Sequence, residues 1–208
     1  TSLDQDNPNQ ILGSTVYTPA NANLLVNGAI GDFECAFHRY VVSQGLLGDE
    51  LVNAFANTTN FDWDRRTFPS SHAYGTATCG GTFQLPGHYT PLSVARTTAD
   101  TILARLQEWT DAQMPTGINR TQLIGRAAAY AGYSILLLGE SMCSAAINIG
   151  PELSKAELWA EAKLRFDAAV TAYQKALATN PLNPRVYVSL GKIYYGETQL
   201  YYEAVTSY

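Results

Sequence analysis

Ala162-x-x-x-Phe166-x-x-Ala169, followed by Tyr187-x-x-Leu190-Gly191-x-x-Tyr194, is the stretch that decides the fold. Residues three, four and seven apart share one face of an α-helix. The small residues let two helices approach, and the aromatic rings and Leu190 fill the space between them. Upstream, Ser154-Lys155-Ala156-Glu157 has the form of a capping box, in which a hydroxyl and a carboxylate satisfy two otherwise orphaned amide donors. It predicts a helix from there to about Ala178. The first group therefore reads as the second helix of one helical pair and the second group as the first helix of the next, two pairs stacked together, with Gly191 admitting a close neighbour.

Working towards the amino terminus, the helical period persists. Asn119 caps a helix through Leu123, Ala127, Tyr130, Ala131, Ser134 and Leu138 to Gly139. Thr90-Pro91 has the cap-then-proline signature and opens a helix buried on Leu92, Ala95, Ala99, Ile102, Leu103 and Leu106. Thr18-Pro19 repeats that signature. After it Leu24, Leu25, Ala29, Phe33, Ala36, Phe37, Tyr40 and Val41 draw one apolar stripe, with Gly28 and Gly31 expected to pack against a neighbouring helix. Thr1 to Val16 reads as an extended arm, and residues 17–208 as one helical domain. Between about Asn57 and His88 periodicity dissolves into aromatics, Gly, Ser, Thr and Pro, giving an irregular excursion far longer than an ordinary connection. Strand alternation is almost absent, so the fold class is all-α with long irregular loops.

Composition narrows the function classes. The 208 residues are 46% hydrophobic and only 15% charged, a surface clothed in Asn, Gln, Ser, Thr and Tyr that suits a secreted or cell-surface protein. A net charge of −5 argues against nucleic-acid partners, which need a basic stripe. No apolar run is long enough to cross a bilayer, and no export signal is visible.

Catalytic chemistry finds little support. Asp49-Glu50 are adjacent and would point apart on a helix, Asp62-Trp63-Asp64-Arg65-Arg66 reads as a self-neutralising turn, and Glu140 stands apart. His38, His72 and His88 are scattered, and no metal or cofactor is expected. A better use of the excursion is ligand capture. A sugar ring lays its apolar face on an aromatic plane while its hydroxyls seek polar partners. Trp63, Arg65, Arg66, Tyr74, Phe83 and Tyr89 are the candidates, with Phe61 and Phe68 read more as staples to the helices. Asn57 in Asn57-Thr58-Thr59 is a weak glycosylation acceptor; Asn119 is read first as a helix cap. In an oxidising compartment Cys79, in a glycine-rich loop, would pair with Cys35 or Cys143 and leave a buried thiol; three reduced buried thiols are the alternative.

The two spaced groups follow the helix patterns of a tetratricopeptide repeat. The chain as a whole resembles the SusD/RagB family. The residues carrying this are Leu24-Leu25-Val26-Asn27-Gly28-Ala29-Ile30-Gly31-Asp32-Phe33 with Gly45-Leu46-Leu47-Gly48-Asp49-Glu50, then Ala95-Arg96-x-x-Ala99-Asp100, Ala127 to Glu140, Met142-Cys143-Ser144 and Gly150-Pro151-Glu152-Leu153. The order is that of the family's amino-terminal half, in a divergent branch. Members are commonly about twice this long and carry an amino-terminal lipidated cysteine, where this sequence begins with Thr1. The resemblance implies a non-enzymatic lipoprotein of the bacterial outer-membrane surface that passes oligosaccharide or another nutrient to a TonB-dependent transporter. The competing expectation is a structural or interaction module of helical repeats, self-associating through the arm and the tyrosine-rich end.

Overall fold

The computed structural model describes residues 13–54, 58–68, 79 and 87–206. Its order is α1 (Gly13–Val16), a 3-10 turn Pro19–Asn21, α2 (Ala22–Leu47), α3 (Thr58–Arg65), α4 (Tyr89–Glu108), a 3-10 turn Asp111–Gln113, α5 (Arg120–Ser141), β1 (Ser144–Ala146), β2 (Glu152–Ser154), α6 (Lys155–Thr179) and α7 (Pro184–Thr206). The all-α, tetratricopeptide-like reading holds, interrupted by the small antiparallel pair β1–β2 with Ala145 opposite Leu153. The expected arm is helical at its end: α1 is tied to α2 by the Asn21 side-chain amide, which donates to the carbonyls of Thr15 at 3.2 Å and Val16 at 3.0 Å. The rest of the arm lies outside the described residues.

Side-chain caps explain the starts of α5 and α6. The Asn119 Oδ1 accepts the Gln122 amide at 3.0 Å, and Ser154 and Glu157 close the reciprocal box that the sequence announces. The Thr-Pro signatures work less literally. Thr18 makes no side-chain cap bond and leads into the 3-10 turn, whereas α4 begins one residue ahead of Thr90, with His88 as its cap.

Helix α5 is the hub. It is buried over most of its circumference, so it needs a neighbour on every side. Against α6, it supplies glycines at a seven-residue interval and receives rings at the same interval running the other way. Cβ atoms built on Gly125, Gly132 and Gly139 would each stand 2.7 Å from a ring atom of Tyr173, Phe166 and Trp159 respectively. Seven residues make two turns, so three rings seat in three notches along a single antiparallel seam. Gly28 and Gly31, expected to mediate close packing, do not: nothing lies within 4 Å of a Cβ at either. Gly191 is likewise open, because α7 meets α6 through the buried Val186, Leu190 and Ile193 on another face.

The apolar stripe of α2 also needs correcting. Its buried residues are Ala22, Val26, Ala29, Ala36, Arg39, Ser43 and Leu46, while Leu24, Phe37 and Val41 are exposed. Across the bundle, Asp100 of α4 receives the Arg165 guanidinium of α6 through two bonds of 3.1 Å. The same carboxylate pairs with Arg96, which is 4% exposed and also holds Asn148 in the turn between β1 and β2.

Candidate functional site

The excursion is not wholly irregular, since α3 lies within it. Trp63 sits on the inner side of α3 with 6% of its surface exposed. Its ring meets Phe68 edge-on at 5.2 Å and His88 at 5.4 Å. The indole therefore offers no face to a ligand and instead fastens α3 to the helices, which corrects the sequence expectation for Trp63. Arg65 lies over the Phe61 ring at 4.7 Å. Arg66 pairs with Asp49 and donates from Nε to the Leu47 carbonyl at 3.0 Å, so it closes the turn after α2. Tyr89 is the first residue of α4, half-buried and packed on two core clusters. Tyr74, Phe83, His72 and Asn57 lie outside the described residues. Of the six candidates, the structure thus gathers no ligand platform from the four it describes.

Cys79 is bonded to Cys35, one of the two pairings left open, which fixes the excursion to α2. Cys143 is exposed, not the buried thiol expected of the odd cysteine. It stands in the bend between α5 and β1, where the chain has just left the core.

Three of the carboxylates considered for catalysis are engaged structurally. Asp49 holds Arg66, Asp64 accepts the Asn53 amide, and Glu140 accepts the Tyr40 hydroxyl at 2.9 Å. Among the described residues one serine–histidine pair occurs, Ser43 Oγ and His88 Nδ1 at 2.6 Å. Ser43 is 0% exposed, and its hydroxyl also lies 3.0 Å from the carbonyls of Arg39 and Tyr40. It can reach no substrate there. His88 is 1% exposed, and burial lowers its pKa from 6.5 to about 4. The Tyr40 ring meets it edge-on at 5.7 Å, and Nε2 is buried without a hydrogen-bond partner.

What the structure does assemble is an aromatic ladder on α2. Phe33, Phe37 and Tyr40 follow one another with centroid separations of 6.0 and 6.3 Å and planes only 14° apart at each step. Phe37, the middle rung, is 46% exposed. Tyr130 of α5 closes one end edge-on against Phe33 at 5.2 Å. Polar groups lie at the ladder's ends: Glu140 accepts the Tyr40 hydroxyl, and Arg126, close enough to act on the Tyr130 hydroxyl, bonds Asn27 at 2.9 Å. The Tyr130 hydroxyl is pushed up by burial and by the nearby Glu34 carboxylate, with Arg126 opposing. A half-exposed ring with polar groups near the ends of its ladder is the kind of surface on which a sugar can lay its apolar face. Sequence reasoning missed it by placing Phe33, Phe37 and Tyr40 in the buried stripe.

A second exposed aromatic surface lies on α7, where Tyr187, Val188 and Tyr195 are 54%, 59% and 71% exposed. A family model for the TPR repeat matches residues 165–196, from the middle of α6 into α7. No curated protein and no solved structure matches the chain. The helical hairpin at the carboxyl end is thus tetratricopeptide-like in both sequence and architecture, and the fold of the chain is of that type.

Proposed function

We propose that this chain is a non-enzymatic binding module whose helical frame presents the Phe33–Phe37–Tyr40 ladder to an oligosaccharide. The reading rests on one observation, the half-exposed Phe37 ring standing nearly parallel to its two neighbours, with the Glu140 carboxylate at the Tyr40 end. It accords with the SusD/RagB resemblance, which supplies the finer expectation of nutrient delivery to a TonB-dependent transporter at the bacterial outer-membrane surface. The buried seats of Ser43 and His88 support a binding role over catalysis, because the one nucleophile–base pair among the described residues has no access.

A glycan array read with the wild type and with Phe37→Ala tests the proposal. Removing one stacking ring should weaken binding to the recognised glycan about tenfold, or roughly 1.4 kcal/mol, with the melting temperature unchanged because Phe37 packs mainly along its own helix. Equal binding by both proteins, or no binding of any glycan by the wild type, overturns it.

The exposed α7 surface favours a second reading, a helical-repeat module that associates with a protein or with itself. Light scattering across a concentration series separates the two. A dimer that dissociates on Tyr187→Ser and Val188→Ser supports association, while a monomer at all concentrations removes self-assembly.

A further inference from the structure

We propose that His88 is an acid-responsive latch: protonating its buried ring frees Trp63 and α3 from α2 while the Cys35–Cys79 bond keeps the same stretch of chain attached. The ring sits where three elements meet. Tyr40 and Ser43 come from α2, Trp63 from α3, and His88 itself caps α4. In the neutral state Nδ1 bonds the Ser43 hydroxyl, which can accept from an Nδ1–H while donating to a backbone carbonyl, and Nε2 then carries neither a proton nor a charge.

An imidazolium carries two N–H donors. Ser43 can accept one, but Nε2 is enclosed with no acceptor. The charge would also lie at the amino-terminal end of α4, where the helix dipole opposes a cation. Among the described residues no carboxylate is bonded to the ring. Around the ring, Glu140 of α5 is engaged by the Tyr40 hydroxyl, and on α3 Asp64 takes the Asn53 amide while Asp62 faces Thr67. Of the arginines, Arg39 lies one turn before Ser43 on α2, and Arg96 lies two turns along α4, held by Asp100 and Asn148. Burial alone accounts for the depressed proton affinity of His88. The least costly answer to protonation is to let water reach Nε2, and among the described elements against the ring the lightest is α3, an eight-residue helix. The other described elements at the ring, α2 and α4, are long and pack into the bundle.

The test follows tryptophan emission and acrylamide quenching of the intact chain as the pH falls from the ordinary histidine range near 6.5 to about 4, with far-UV circular dichroism in parallel. A reversible red shift and increased quenching are expected, with helix content retained. Trp63→Phe should abolish the shift and thereby assign it to one of the three tryptophans. His88→Gln, which keeps a neutral partner for Ser43, should hold the emission constant through the same range. An unchanged acid shift in His88→Gln overturns the latch, and so does a shift accompanied by loss of helix. Should His88→Gln fail to fold, imidazole NMR on the wild type decides: His88 must titrate together with the Trp63 change, and titration without that change overturns the proposal.

Discussion

At the scale of single residues, the sharpest contrast is between Gly132 and Gly191. Alanine is preferred over glycine within a helix by about 1 kcal/mol, so an open position gains from the exchange and a filled one loses. A Cβ on Gly132 would stand 2.7 Å from the Phe166 ring, which is fully buried and has nowhere to retreat. Overpacking of that kind costs about 1–3 kcal/mol, enough to outweigh the propensity gain. Gly191 faces open space. Thermal unfolding should therefore show Gly132→Ala lowering the melting temperature and Gly191→Ala leaving it equal or slightly higher. A stabilised Gly132→Ala would mean the seam between α5 and α6 is looser than its geometry implies.

Among elements, legibility followed the strength of local chemistry. The capping box at Ser154 and the cap at Asn119 were readable because each is a complete interaction within four residues, and both form. The hairpin of α6 and α7 was readable from its Ala, Phe and Leu positions, which are inward, whereas Tyr187 and Tyr194, expected to fill the space between helices, are 54% and 47% exposed. Helix α2 was misread because large apolar residues were taken as the guide to its buried face. Its inner face instead runs through the small Ala22, Ala29 and Ala36 and the polar Ser43, with Val26 and Leu46 on the same side. This three- and four-residue rhythm was present in the sequence, but size concealed it. The notches at Gly125, Gly132 and Gly139 were a signal only beside Trp159, Phe166 and Tyr173, whose equal spacing reveals the register. Helix α3 was missed because its eight residues are polar on average and its fastening ring is a single Trp. For the caps, a quantitative expectation follows. Asn119→Ala deprives the Gln122 amide of its acceptor at the start of the central helix, and should cost about 1 kcal/mol in denaturant unfolding. Asn119→Asp, which retains the acceptor beside the positive helix end, should recover most of it.

For the whole molecule, the stretch between α2 and α4 is fastened in two physically different ways, and these respond to different conditions. His88 acts through the folded state. Its pKa of about 4 lies below the unfolded value of 6.5, so between those limits the unfolded chain binds the proton and the folded one does not. Stability is accordingly full above 6.5, is lost as pH falls towards 4, and the total loss is about 3 kcal/mol. Attraction of the imidazolium to surrounding ring faces is worth about 0.5–2 kcal/mol, too little to reverse the sign. The Cys35–Cys79 bond acts mainly through the unfolded state, closing a loop of sequence separation 44. Loop-closure entropy for such a length amounts to about 4 kcal/mol as an upper figure. Replacing both cysteines by serine should therefore lower the denaturant midpoint at neutral pH. The pH at which Trp63 becomes accessible should stay where it was, because the bond touches neither the His88 ring nor Ser43. Parallel urea and acid titrations of wild type and the double variant check this. A displaced acid midpoint with an unchanged urea midpoint would reverse the assignment of the two fastenings.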